Sequence, residues 1–219
     1  MDLIDGIMTL RAIRRYTAEP VTDDEVLTCL RAARQAPSGG NIQPWQFLVV
    51  RDAATRAALG EIYRRAYDRY EPAMLAATPP FRDDAEAEGH RRTVASARHL
   101  AEHFAEAPVA VLFLMPNISM TLRDAEGPLD VGSPYASVYP AVQNFMLAAR
   151  ALGIGTTLTT VIRIYQDEVR QLLGIPDRYE IAALVPMGRP RGRFGVAPRK
   201  PLGAVTHWDR FGNRRADLD

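Results

Sequence analysis

Three arginines lie close together near the start of the chain, at Arg11, Arg14 and Arg15. The guanidinium group is planar and permanently charged, and it can bond a phosphate through two N–H groups at once. This cluster could therefore hold a phosphate-bearing ligand. Clustered arginines more often face water, however, so a basic surface helix is the alternative interpretation.

A loop rich in small residues runs from Ala36 to Trp45, between a predicted helix and a predicted strand. Because glycine has no side chain, this backbone could approach a flat ligand closely and offer it N–H and amide groups. An ordinary structural turn explains the loop equally well when it is considered alone.

Several familiar catalytic motifs are missing from the sequence. It contains no P-loop, no strand-linked dinucleotide glycine fingerprint, no zincin helix and no serine-hydrolase elbow. His99 and His103 have the spacing of two metal ligands on one helical face, but no acidic zincin pattern accompanies them. A solvated face is the favoured interpretation, and no metal site is predicted.

Composition and charge limit the possible partners. The 219 residues include 27 basic and 26 acidic ones, a net charge of +1 that gives no whole-protein field to attract nucleic acid. No run of eighteen apolar residues exists, so no membrane span is predicted. Cys29 is the single cysteine, and the acidic N-terminus lacks the features of a signal peptide. We therefore expect a cytoplasmic protein.

Helical and strand patterns alternate along the chain, which favours helices covering a central sheet. Helices are predicted at about 22–35, 53–71, 84–106 and 134–152, with a short one ending at 173–174, and strands at 45–50, 109–114, 155–160 and 181–187. Thr22 and Glu25 have capping-box spacing at the start of the first helix. Pro72 is predicted to break the helical pattern over 72–81, and the chain after Met187 to be an extended tail.

Taken together, the arginine cluster, the small-residue loop and the following strand resemble the FMN-dependent nitroreductase family, over nearly the whole chain. The segment 11–16, Arg-Ala-Ile-Arg-Arg-Tyr, is similar to the family's opening segment that holds the FMN phosphate and ribityl chain. Arg11 and Arg14 match best, whereas Leu10 and Ala12 stand where many members have arginine and serine. The resemblance implies cofactor-binding roles for Arg11, Ala12, Arg14 and Arg15.

Three further segments carry the resemblance. The loop motif Pro-Ser-Gly-Gly-Asn, followed by Gln-Pro-Trp, implies that Pro37, Ser38, Gly39 and Asn41 line the flavin. The helix through Gln143 and the stretch 153–160 resemble the segment beneath the isoalloxazine, which implies that Leu158, Thr159 and Thr160 reach flavin N5 and O4. A threonine-rich strand without a ligand is the alternative. The closing tail implies that Arg199 returns to the phosphate, with Lys200 as the next choice.

The resemblance also implies a fold and a reaction. The expected fold is α+β, a three-layer α/β/α arrangement around a mixed, mainly antiparallel sheet. We expect a single domain over 1–219, an entwined homodimer with FMN in each interface cleft, a substrate cover at about 71–106, and a tail at about 189–219. Tyr70, Met74 and Phe81 are the side chains expected to touch substrate from the cover.

In the implied ping-pong reaction, NADH or NADPH gives hydride to flavin N5 and leaves, and a small acceptor such as a nitroaromatic or quinone is then reduced. The flavin performs the chemistry, so no catalytic side chain is required. A reductive dehalogenase or another specialised flavoenzyme is one alternative. A flavin-binding protein without turnover is another.

Overall fold

The computed structural model describes residues 1–117, 122–215 and 217. The α-helices in these parts of the chain are α1 Leu3–Thr9, α2 Asp23–Ala33, α3 Ala53–Ala77, α4 Asp84–Glu102, α5 Tyr139–Ala151, α6 Gln166–Leu173 and α7 Leu202–Val205. The strands are β1 Gln46–Val50, β2 Val109–Pro116, β3 Leu122–Asp124, β4 Gly127–Leu129, β5 Gly155–Thr156 and β6 Tyr179–Gly188. Short 3-10 helices occur at Gly39–Asn41, Phe104–Glu106, Pro134–Ser137 and Val161–Tyr165.

The central sheet has the strand order β1-β2-β6-β5, and each neighbouring pair is antiparallel. In the register of the first pair, Leu48 lies opposite Leu112. A single parallel bridge joins Ala12 to Thr156 at the β5 edge, so the pairing is mixed but mainly antiparallel, as predicted. A separate two-stranded hairpin, β3 and β4, was not anticipated from the sequence.

Helices cover both faces of this sheet. Successive side chains of a strand point to opposite faces, so Val111 and Phe113 of β2 join a core with α2 and α5, whereas Leu112 and Leu114 join a core with α3 and α4. All four are at most 5% exposed. Two separate cores on either side of one sheet confirm the predicted three-layer α+β fold.

The capping box predicted for α2 is present. The Glu25 N–H donates to Thr22 Oγ1 at 3.3 Å, and the Thr22 N–H donates to Glu25 Oε2 at 2.9 Å. These bonds satisfy two backbone groups that a helix start leaves without partners. The helix begins and ends within two residues of the prediction.

The predicted break at Pro72 is wrong, because α3 continues through this proline to Ala77. Proline inside a helix costs about 3 kcal/mol through a lost hydrogen bond and a steric clash. Side-chain contacts flank the proline: Arg98 of α4 pairs with Asp68 and Glu71 just before it. After the proline, the Thr78 hydroxyl donates to the Met74 carbonyl at 2.9 Å.

Other boundaries also differ from the predictions. In the segment predicted as a helix at 84–106, α4 ends at Glu102 and a 3-10 turn follows. In the segment predicted as a helix at 134–152, a 3-10 turn precedes α5. The strand predicted at 155–160 is regular only over β5, and α1 was not anticipated. None of the helices in the described part of the chain is long and apolar enough to cross a membrane.

Candidate functional site

Backbone pairing fixes residues 11–16, the arginine segment, at the β5 edge of the sheet. The Ile13 N–H donates to the Thr156 carbonyl at 2.8 Å, beside the Ala12–Thr156 bridge. A Cβ atom on Gly155 would lie 2.6 Å from Ile13 Cγ2, closer than real Cβ contacts allow. Glycine at 155 is therefore what lets the arginine segment approach the strand.

Two further hydrogen bonds hold the backbone of the arginine segment. The Tyr16 ring is 1% exposed, and its hydroxyl donates to the Ile13 carbonyl at 2.7 Å. Burial raises the pKa of Tyr16, so this phenol stays protonated and able to donate. The Arg191 N–H donates to the Arg15 carbonyl at 3.0 Å, which ties the C-terminal tail to the same segment.

A cavity of about 430 Å³, called the arginine cavity here, opens in front of this segment. Its walls include Arg11, Ala12 and Arg14 together with Arg199 from the tail, and Gln143 from α5. No acidic side chain lines it within the described residues. Arg11 and Arg14 make no hydrogen bond or ion pair with any described residue, and Arg199 donates only to the adjacent Pro198 carbonyl. Uncompensated guanidinium groups around one cavity suit an anionic ligand group.

A second cavity of about 310 Å³, called the threonine cavity here, adjoins the first. It is lined by residues 157–160, the threonine loop, and by side chains of α3 and α4. Arg14 and Thr93 line both cavities. The two cavities therefore share part of their walls.

The threonine loop is held by β6 and by α3. The N–H of Thr159 donates to the Leu184 carbonyl, and the Leu184 N–H donates back, both at 2.9 Å. The hydroxyls of Thr159 and Tyr63 are 3.2 Å apart, and Tyr63 is 2% exposed. Burial raises the pKa of Tyr63 despite its hydrogen bond to Thr159 and the nearby charge of Arg14. A neutral tyrosine hydroxyl is therefore available next to the loop.

Arg15 and the four loop residues predicted to bind cofactor are not among the lining residues of the arginine and threonine cavities. Arg15 lines neither cavity. Ser38 Oγ accepts from the Gln43 N–H at 3.0 Å, and the Gly39 N–H donates to Ser137 Oγ at 3.1 Å. Asn41, with a left-handed φ of +55°, lines a different cavity. Pro37 also lines neither cavity, so the cofactor roles of Arg15 and of the four loop residues stay predictions.

Other lining residues were not anticipated. Tyr63 and Tyr67 line the threonine cavity beside the predicted cover residues Tyr70 and Met74. Their spacing of four, three and four residues places all of them on one face of α3, a signal that was available in the sequence. His90 and Thr93 of α4 also line the cavity and carried no comparable signal. Phe81 is not among the lining residues.

No group of three or more histidine, cysteine or acidic residues is placed to hold a metal within residues 1–117, 122–215 and 217. The rings of His99 and His103 stack on each other with centroids 4.3 Å apart. Burial, and then the charges of Arg15 and His103, lower the pKa of His99. His103 is exposed at the end of α4 and His99 is partly exposed, so the pair lies at a helix end that is open to solvent.

Residues 7–189 match the model of the nitroreductase family, and the chain belongs to that family. It is 29% identical to a protein named NADH dehydrogenase from Thermus thermophilus, over 95% of this chain and 96% of that one. It is 24% identical to the NADPH-flavin oxidoreductase of Vibrio harveyi, over 95% and 74% of the two chains. Among solved structures, an iodotyrosine deiodinase bound to FMN and 3-iodo-L-tyrosine has a TM-score of 0.73 at 21% identity, covering 96% of this chain and all of that one.

Proposed function

We propose that this chain is an FMN-dependent oxidoreductase that uses NADH or NADPH to reduce a small organic acceptor, such as a nitroaromatic or a quinone, by a ping-pong mechanism. The observation that carries the proposal is that Arg14 and Thr93 line both cavities. One cavity is cationic, and the other is lined by aromatic and hydroxyl side chains. A ligand with a phosphate at one end and a flat ring at the other fits this pair, and FMN has that form.

The arginine cavity would hold the phosphate end. Arg11 and Arg14 have no competing partner in the described residues, so their guanidinium groups are free to bond phosphate oxygens in pairs. Arg199 would add a third charge from the tail. Arg15, which lines neither cavity, would contribute through its place in the segment's backbone.

The threonine loop would lie against the flavin ring. The N–H of Thr159 is already bonded to Leu184, so this residue would reach the ring through its hydroxyl. The Val161 N–H donates to that same oxygen at 3.4 Å. If Tyr63 also donates to it, the Thr159 hydrogen is left free to point at the ring. Bound FMN would supply the hydride transfer itself, so the side chains need only bind, orient and exclude water.

A homodimer would bring the remaining predicted residues to the site. Ser38, Gly39 and Asn41 lie away from the arginine cavity of their own chain, and a second copy could place them against the flavin. Helix α1 offers apolar surface for such a contact, because Leu3 and Ile4 are 67% and 64% exposed. Exposed apolar clusters of this kind are typical of interfaces.

Mixed dimers test this arrangement. Arg14→Ala and Ser38→Tyr proteins should each bind FMN weakly as pure dimers. Co-expressed, they should recover binding at up to about a quarter of all sites, because each mixed dimer has one undamaged site. Tandem tags would isolate the mixed species. No recovery in that species, with normal melting curves for both variants, would argue against a shared site.

The cofactor and reaction are tested on the purified protein. We expect it to carry FMN, or to bind it when added, and to show loss of flavin absorbance when NADH or NADPH is added without oxygen. Adding a quinone should then restore the absorbance. A protein that binds FMN but is reduced by neither nucleotide would overturn the oxidoreductase assignment, and a protein that binds no FMN would overturn the cofactor assignment.

A further inference from the structure

The threonine cavity has an unusual distribution of charge. Its walls combine aromatic rings with hydroxyl and methyl groups, and Arg14 is the only Arg, Lys, Asp or Glu residue that lines it within the described chain. Arg14 sits at the junction with the arginine cavity. If it binds phosphate there, the rest of the threonine cavity offers no full charge to a substrate.

The acidic residues that flank the lining tyrosines of α3 in the sequence are already paired. Asp68 and Glu71 of α3 flank Tyr67 and Tyr70, and both carboxylates are bonded by Arg98, the first at 2.5 Å. The Arg98 guanidinium also lies over the Tyr67 ring, 4.7 Å from its centre. A ligand ammonium group entering the cavity would therefore lose water without gaining a carboxylate, which is costly.

His90 of α4 is a lining side chain whose buried ring nitrogen has unused hydrogen-bonding capacity. Its Nε2 is buried and has no partner among the described residues. The ring instead packs on Phe81, with centroids 5.0 Å apart. A buried polar atom without a partner is unfavourable, so a ligand oxygen that reaches the imidazole after a small ring rotation would be bound favourably.

We propose that His90 determines acceptor selectivity. With the flavin ring along the threonine loop, the part of the threonine cavity lined by α3 and α4 would hold the acceptor, and His90 would donate a hydrogen bond to a carbonyl- or nitro-type oxygen of an uncharged aromatic acceptor, so that amino-acid substrates such as halotyrosines are disfavoured. The proposal rests on the proposed function for its redox step. Its binding component does not depend on that function.

The kinetic test uses protein whose flavin has been reduced with dithionite, so that nicotinamide binding plays no part. Reoxidation by 1,4-naphthoquinone should saturate, and His90→Phe should raise the half-saturating quinone concentration about 3- to 10-fold, the effect of one neutral hydrogen bond. His90→Gln should recover most of the loss because it keeps a donor. Reoxidation by ferricyanide, FMN affinity and melting temperature should be unchanged in His90→Phe, which retains the ring contact with Phe81.

A binding test separates this proposal from the proposed function. The chain has four histidines, so the ¹⁵N signal of His90 in histidine-labelled protein can be assigned by its loss in His90→Phe. Quinone should move that signal, and 3-iodo-L-tyrosine at the same concentration should not, whether or not FMN is bound. A signal that quinone leaves unmoved, equal half-saturation in wild type and His90→Phe, or tighter binding of 3-iodo-L-tyrosine than of quinone would each overturn the inference.

Discussion

Replacing Arg14 by alanine should weaken FMN binding by about 10- to 150-fold. The side chain lines both cavities and makes no hydrogen bond or ion pair with any described residue, so its whole donor capacity is available to a phosphate. A hydrogen bond to a charged group contributes about 1.5–3 kcal/mol, which corresponds to this range of dissociation constants. Arg14→Lys should give an intermediate loss, because it keeps the charge but not the planar pair of donors.

The matched control is Arg91→Ala. Arg91 lies on α4, pairs with Glu88 at 2.7 Å, and its side chain is 66% exposed. Its removal should leave FMN affinity unchanged, because an exposed ion pair contributes little. Fluorescence titration of the apoprotein with FMN measures both variants. The wild-type affinity should also fall as salt rises, although less than at an open surface site, because a partly buried phosphate is screened less.

Melting curves without FMN complete the test. Removing Arg14 breaks no ion pair and relieves repulsion between neighbouring guanidinium groups, so the melting temperature of Arg14→Ala should stay within about 2 °C of wild type or rise slightly. Equal FMN affinity in Arg14→Ala and Arg91→Ala would refute the phosphate role. A large drop in melting temperature would show that Arg14 is a structural residue instead.

Three further predictions follow from the packing around the site. Gly155→Ala should lower both melting temperature and FMN affinity because its methyl group would overlap the arginine segment, whereas Gly192→Ala, with open space at its Cβ, should change neither. Tyr70→Ala should alter the ratio of rates with a nitroaromatic and a quinone at constant FMN affinity, and a large melting shift with an unchanged ratio would instead indicate a packing role. Burial opposes ionisation of Glu25, but hydrogen bonds from the helix cap and Arg189 outweigh it and lower its pKa below the ordinary 4.5. The stability advantage of wild type over Glu25→Gln should therefore be full above pH 4.5 and be lost as pH falls through the lowered value, and a gap that does not shrink as pH falls below 4.5 would contradict this.

Local sequence patterns predicted the parts of the fold that depend on local chemistry. The cap of α2 could be predicted because the capping side chains bond the first turn of their own helix. Strand β2 could be predicted because a continuous apolar run indicates a strand buried on both faces. Arg11 and Arg14 were recognised by residue type and spacing, and the structure places both in one cavity. Their roles there remain predictions.

Features that depend on distant partners could not be predicted in the same way. The helix passes through Pro72, and its contacts on either side include Arg98 of α4 on Asp68 and Glu71, which lie 27–30 residues away in sequence. His90 lines the threonine cavity because α4 packs beside α3, and nothing in the sequence around His90 indicates this. The position of the Ser38 loop relative to Arg14 is a further case, since one chain does not bring them together.

Contacts other than ion pairs hold the backbone around the unpaired arginines in place. A cavity with three guanidinium groups and no lining carboxylate is unfavourable to the fold until an anion enters, because like charges repel across it. The chain offsets this cost with uncharged contacts: the Ile13 pairing with β5, the close approach at Gly155 and the buried Tyr16 ring. None of these three contacts uses an arginine that lines the cavity, and the Arg191 side chain adds a further bond by donating to the Tyr16 carbonyl at 2.5 Å. The charged groups are thus held in place without being neutralised, and an anionic ligand would supply the missing partner and stabilise the fold by mass action as its concentration exceeds its dissociation constant.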